Sequence, residues 1–144
     1  MLKIESKIGI INQSDEHIYN FLTDFNHFSS LVPQDRIKNW EATSDTCRFT
    51  LDRLGDIGMK IIEKEPYKLI KVTGDENSQF DFLFWTQLKR MAETDTRIKL
   101  TIHADINPML QLMAKKPLQK FIDLMVDQIE LYFQQKSEGD SKVK

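Results

Sequence analysis

The chain has 144 residues, 40% hydrophobic and 29% charged, with a formal net charge of −2. That length suits one domain with a real core, because a chain of this size buries roughly two thirds of its unfolded surface. The near-neutral charge, with lysines scattered among acids, argues against nucleic-acid binding. A single cysteine, Cys47, excludes an internal disulfide and a zinc site built on several thiolates.

A reducing compartment is the simpler reading of that cysteine content. The first residues lack the apolar run of a signal peptide, and no window approaches the ~20 apolar residues of a membrane span. A cytoplasmic protein is expected. Residues 1–136 read as one domain, and residues 137–144 as a polar tail that is expected to be disordered.

Leu2, Ile4, Ser6, Ile8 and Ile10 alternate with Lys3, Glu5, Lys7 and Gly9. This period of two predicts a half-buried strand with Ile4 and Ile8 facing inward. Ser14 is placed to cap a helix, with Asp15 and Glu16 at its positive end. Ile18, Phe21, Leu22 and Phe25 then recur at helical spacing. Phe28 and Leu31 suggest a second short helical turn, and Pro33 ends it.

The middle of the chain reads as a meander. Ile37–Ala42 is a weak strand. Cys47, Phe49 and Leu51 alternate with polar residues, and 52–56 form a turn around Gly55. Ile57, Met59 and Ile61 make the next inward row, followed by the Glu65-Pro66-Tyr67 turn. Ile70 and Val72 continue, and 74–77 turn the chain again. Phe80, Phe82 and Phe84 share one face, with Asp81, Leu83 and Trp85 on the other. After a hairpin at Thr94-Asp95, Ile98, Leu100, Ile102 and Ala104 alternate with Arg97, Lys99, Thr101 and His103.

Asn107-Pro108 opens a long helix over residues 109–135. Leu110, Ala114, Pro117, Leu118, Phe121, Met125, Ile129 and Tyr132 line its apolar side. Lys115, Lys116, Gln119, Asp123, Asp127, Glu130 and Gln134 line the opposite side. Pro117 lacks the N–H that would bond to Met113, so a kink is expected there, and division into a short and a longer helix is open. Short turns make the strands antiparallel. The fold class is therefore α+β: a curved antiparallel sheet of about seven strands, with two short N-terminal helices and one long C-terminal helix.

This order, together with the segment Asp24-Phe25-Asn26-His27-Phe28-Ser29-Ser30-Leu31-Val32-Pro33, resembles the helix-grip fold of the START, birch-pollen-allergen and polyketide-cyclase-like superfamily (SRPBCC). The resemblance runs from Leu2 to about Phe133. It implies a cavity between sheet and terminal helix that accepts sterols, lipids, polyketides, quinones or other apolar molecules. It implies no common catalytic residue, so the site has to be argued separately.

Candidate ligand-binding residues are Phe28, Phe49, Met59, Ile61, Phe80, Phe82, Phe84 and Leu100, with Met113, Pro117, Phe121 and Met125 from the long helix. The plainer reading is that they pack against one another as core. Acid–base catalysis would need a carboxylate or histidine inside the pocket. Glu63, sharing a face with Ile61, His27 at the rim and Tyr67 are the weak candidates, against the ordinary reading of solvated turns. Asp52, Arg53 and Asp56 could rim an opening.

No histidine pair has ligand spacing, so no metal and no cofactor is expected. No nucleophile elbow or phosphate loop is present, and Cys47 reads as a small buried apolar residue. Leu83 and Trp85, joined by Ile62, Leu69 and Trp40, should emerge on the convex face as a homodimer or partner surface. The leading functional expectation is binding or carriage of an apolar small molecule, whether lipid, quinone or polyketide-like. The alternatives are a cyclase- or aromatase-type enzyme and an interaction module of the chaperone-activator type.

Overall fold

A computed structural model of the chain describes residues 1–32, 35–51 and 54–143, with side chains as far as Gln134. The turn residues Pro33, Asp52 and Arg53 singled out above lie outside the described residues. The strands are β1 (Leu2–Glu5), β2 (Gly9–Ile11), β3 (Ile37–Ala42), β4 (Thr46–Leu51), β5 (Gly55–Glu65), β6 (Leu69–Gly74), β7 (Asp81–Ala92) and β8 (Asp95–Asp105). The helices are α1 (Asp15–Leu22), a 3₁₀ helix (Phe25–Ser30) and α2 (Pro108–Val143). The sheet runs β1-β8-β7-β6-β5-β4-β3, with β2 also paired to β8, and all its pairings are antiparallel.

The expected α+β architecture is present. The sheet has eight strands because the first predicted strand is two. Leu2 pairs with Ala104 and Glu5 with Thr101, whereas Gly9 pairs with Ile98 and Ile11 with Thr96. Between them the first chain carries one extra residue relative to β8, and such a bulge reverses which face each later side chain meets. Ser6 sits at the break: its N–H donates to the Leu100 carbonyl (2.8 Å), and its Oγ accepts from the Leu100 N–H (2.8 Å). Ile4 and Ile11 are therefore buried, and Ile8, expected inside, is 63% exposed.

Two more bulges act in the same way. In β3 the register slips between Lys38 and Glu41, where Asn39 adopts φ 59, a left-handed conformation that asparagine tolerates better than most residues. Trp40 is turned inward against the core and stacks on Phe49, so it does not join the convex face. In β5 the slip between Ile61 and Glu63 places Glu63 opposite Lys71 and exposed, away from the inward row.

Ser14 caps α1 as expected, accepting from the His17 N–H (3.1 Å). Asp24 caps the 3₁₀ helix through the Asn26 N–H (2.9 Å). Pro117 lies inside a single helix and does not divide it, and α2 extends past residue 135 to Val143.

Ala114, Leu118, Ile122, Met125, Val126, Ile129 and Phe133 form the buried face of α2. The helix makes its close approach to β1, β2 and β8. Ile122, Val126 and Phe133 lie outside the apolar side that the spacing predicts, and Met113, a candidate binding residue, is 66% exposed. A helical residue next to a seated one is rotated by about 100°. Seating Ala114 on the sheet therefore turns Met113 away.

The supposed solvent face of α2 also has a structural task. Gln119 Nε2 donates to the Glu5 carbonyl (2.8 Å), the Lys7 N–H donates to Asp123 Oδ1 (2.8 Å) and the Ile10 N–H donates to Glu130 Oε2 (3.0 Å). The Lys7 ammonium also pairs with Asp127. These groups cap the open edge of β1 and β2, which would otherwise present unpaired backbone.

Gly9 permits the tight seat of α2. A Cβ there would lie 2.7 Å from both Ile98 Cγ2 and Val126 Cγ1, two side chains fully enclosed in the core. Gly9→Ala is expected to lower stability by about 1–3 kcal/mol through overpacking, read as a lower urea midpoint with unchanged slope.

Candidate functional site

A cavity of about 60 Å³ remains between the sheet and α2. Its walls come from seven elements, and every lining side chain is apolar. Phe25, Phe28 and Val32 close it from the 3₁₀ helix and the segment after it. Ile37, Trp40, Phe49, Leu51, Ile57 and Met59 come from β3, β4 and β5. Phe80, Phe82, Phe84 and Ile102 come from β7, β8 and the residue before β7, and Leu118, Phe121 and Met125 from α2.

The space exists because flat rings bridge the wall on the β3–β4 side. Trp40 stacks on Phe49 (5.7 Å between centroids), and Phe49 lies near-parallel to Phe121 on α2 (6.5 Å). Phe25 meets Phe28 edge-on at 5.4 Å. Rings held apart at these distances leave a gap that their limited rotamers do not fill. The void has room for a few waters at most. It is well below the roughly 300–1,000 Å³ of a pocket that encloses a drug-sized molecule.

Of the expected binding residues, Phe28, Phe49, Met59, Phe80, Phe82, Phe84, Phe121 and Met125 come together on this cavity. Ile61, Leu100, Met113 and Pro117 do not. Ile61 packs on the edge of the core, Leu100 is buried outside the lining, Pro117 is half-buried and Met113 faces out. Leu118 takes the place expected of Pro117, one position further round the helix.

Trp40 escaped the reading because of the β3 bulge. Ile57 and Ile102 already stood in inward rows and needed only the three-dimensional curvature of the sheet to select them. Phe25 and Leu51 also stood in periodic apolar rows, whereas Val32 and Ile37 carried no signal beyond being apolar.

The weak catalytic candidates are not on the cavity. Glu63 is exposed on β5. Tyr67 is 39% exposed in the β5–β6 turn at φ 67, with its ring edge-on to Tyr19 at 5.6 Å. His27 is exposed, and its ring stacks on Phe21 (4.6 Å, 13°). Its Nδ1 lies 2.6 Å from the Phe21 carbonyl oxygen. A carbonyl only accepts, so Nδ1 carries the proton, and the imidazole ties the 3₁₀ helix to α1. His103 packs edge-on to Trp85 at 4.7 Å on the outer face, with the Lys71 ammonium 5.7 Å from the Trp85 ring.

Tyr19 is buried, and desolvation followed by its Tyr67 neighbour raises its phenol above the ordinary value. Cys47 is 1% exposed, and burial, followed by the negative charge of Asp75, pushes its thiol up to about 12. Among the described residues, no three His, Cys, Asp or Glu side chains gather closely enough to hold a metal ion. No helix there is long and apolar enough to cross a membrane.

No protein-family model matches the sequence, and no curated protein sequence matches it. Solved structures do. A point mutant of norcoclaurine synthase from Thalictrum flavum, in complex with a transition-state analogue, superposes with TM-score 0.74 at 13% identity, covering 94% of this chain and 96% of that one. A START superfamily protein from Mycobacterium smegmatis superposes with TM-score 0.67 at 13% identity, covering 92% and 97%. The di-domain ARO/CYC protein BexL of the BE-7585A biosynthetic pathway gives TM-score 0.68 at 8% identity, over 90% of this chain and 45% of its own length. The chain has the START-like helix-grip fold that the sequence resembled.

Cys47 yields a two-part expectation. In the native protein the thiol stays unreactive toward an alkylating reagent at neutral pH, and it reacts once urea unfolds the chain. Its native value is raised from the ordinary 9.0, so the unfolded chain loses this proton first. The stabilisation is whole below pH 9.0 and is lost as pH rises toward about 12. Relative to Cys47→Ala, the wild type should lose about 1.4 kcal/mol per pH unit above that onset, measured by urea unfolding.

Proposed function

We propose that this protein binds an apolar small molecule, of lipid, quinone or polyketide type, between its sheet and α2. One observation carries the reading: a void persists between sheet and helix whose entire lining is apolar. No lining side chain can donate or accept a proton, which favours binding over cyclase or aromatase chemistry. Glu63, His27 and Tyr67, the groups such an enzyme would have needed, are all solvent-exposed.

At about 60 Å³ the cavity is smaller than any such guest, so binding has to widen it. Met59 and Met125 are unbranched side chains that rearrange at little cost. Phe28 and Val32 hang on a short 3₁₀ helix of two turns and the segment after it. Removing ~200 Å² of guest surface from water is worth roughly 5 kcal/mol, from which widening and loss of motion subtract. Modest affinity for a range of apolar guests follows.

The test is displacement of a fluorescent fatty acid or a quinone, alongside native mass spectrometry of protein purified from cells. Leu118→Phe, which fills the cavity, should weaken probe binding by about tenfold while the protein stays folded. A wild-type protein that retains no ligand and binds no apolar class would end the proposal.

A second copy docked on the outer face of the sheet is an independent reading. Leu83 and Trp85 are half-buried there, and Ile62 is 49% exposed. Sedimentation over a concentration series is expected to show a dimer that Trp85→Lys dissociates. A monomer at every concentration would exclude it.

A further inference from the structure

Among the described residues, three grooves share lining residues with the cavity, and they differ in charge. The first, where α2 begins beside β7, shares Phe80 and carries Asp81 and Asp105. The second, over β4 and β5, shares Phe49 and Ile57 and sets Glu41 and Asp56 against Arg48. The third, of about 580 Å³, follows the seam between the 3₁₀ helix and α2 and shares Val32. It sets Arg36 and Lys120 against Asp35, with Ser29, Ser30 and Gln128 as uncharged polar groups. Of the three, the seam alone has cations in excess, in a chain whose net charge is −2. Neither Arg36 nor Lys120 makes an ion pair among the described residues.

The seam and the cavity also lie back to back. On each side of it, one residue lines the cavity and its chain neighbour lines the groove: Phe28 and Ser29 on the 3₁₀ helix, Phe121 and Lys120 on α2, Met125 and Leu124 one turn later. Val32 touches both spaces and is 7% exposed.

We infer that the seam is the polar half of the binding site, seating the anionic headgroup of an amphiphile whose apolar tail enters the cavity past Val32. This rests on the binding proposed above and adds the polarity of the ligand. A carboxylate or phosphate carried into a cavity with no polar group would lose its hydration without compensation. At the seam it keeps part of its water and meets a guanidinium fork and an ammonium. A neutral head gains nothing from those charges, and a cationic head is repelled by them.

Calorimetric titration with decanol, decanoate, decyl phosphate and decyltrimethylammonium separates the two ideas. Decanol reads the cavity alone, and the charged probes read the seam. Decanoate or decyl phosphate should bind more tightly than decanol, and the ammonium probe more weakly. Added sodium chloride should erode only the anionic preference. In the double variant Arg36→Gln, Lys120→Gln, binding of the anionic probes should fall roughly threefold to tenfold, with decanol unchanged.

The decanol titration doubles as the check that the variant is folded. If it is not, the salt series on the wild type decides. Equal affinity for decanol and both anions, or anion binding untouched by the double variant, overturns the headgroup assignment and leaves the cavity reading standing. Displacement of decanoate by acetate or inorganic phosphate at equal concentration overturns it too, because the seam would then be a site for free anions. Failure of all four probes removes the cavity reading and this one together.

Discussion

The architecture depends on how α2 is held along the open edge of the first strand pair. Helices are commonly seated by apolar contact alone, which fixes depth better than position along the axis. Here the apolar row from Ala114 to Phe133 sets the depth. Gln119, Asp123 and Glu130 set the axial position by bonding the backbone of Glu5, Lys7 and Ile10. The same contacts occupy a strand edge that would otherwise invite a foreign strand. Two problems, an exposed edge and a helix free to slide, are met by one set of side chains.

The cavity follows from this asymmetry. Its close approach to β1, β2 and β8 draws α2 toward one side of a curved sheet. On the other side, the interval is spanned by rings, Trp40 on Phe49 and Phe49 facing Phe121. Flat groups with two stiff torsions bridge such a gap without packing it to crystal-like density. The residual void is thus a property of where the helix is anchored and of which residues fill the opposite wall.

How far the sequence could be read has a physical pattern. In β4, β6, β7 and β8 the alternation of apolar and polar residues gave the inward face, and Phe49, Val72, Phe82 and Ile102 lie where the alternation puts them. The misplacements of Ile8, Trp40 and Glu63 each sit at a one-residue slip in register. Nothing in the local composition near Ser6, Asn39 or Ile62 announces an extra residue, because a bulge is decided by the partner strand. On α2 the broad apolar arc hid two separate duties: Ile122 and Val126 seat the helix, while Phe121 and Met125 face the void. Spacing alone does not divide such an arc. The cavity's walls were therefore half legible, and the seam beside it was not legible at all.

The manner in which α2 grips β1 and β2 has a bearing on which sequences the backbone can accept. Its polar side chains reach peptide groups, which every residue but proline supplies in the same form. The strand can accordingly exchange its own side chains freely as long as its course is kept, and the helix has only to retain short acidic or amide groups at a few positions. Attachment through the main chain tolerates drift. The same backbone course is thereby open to many sequences.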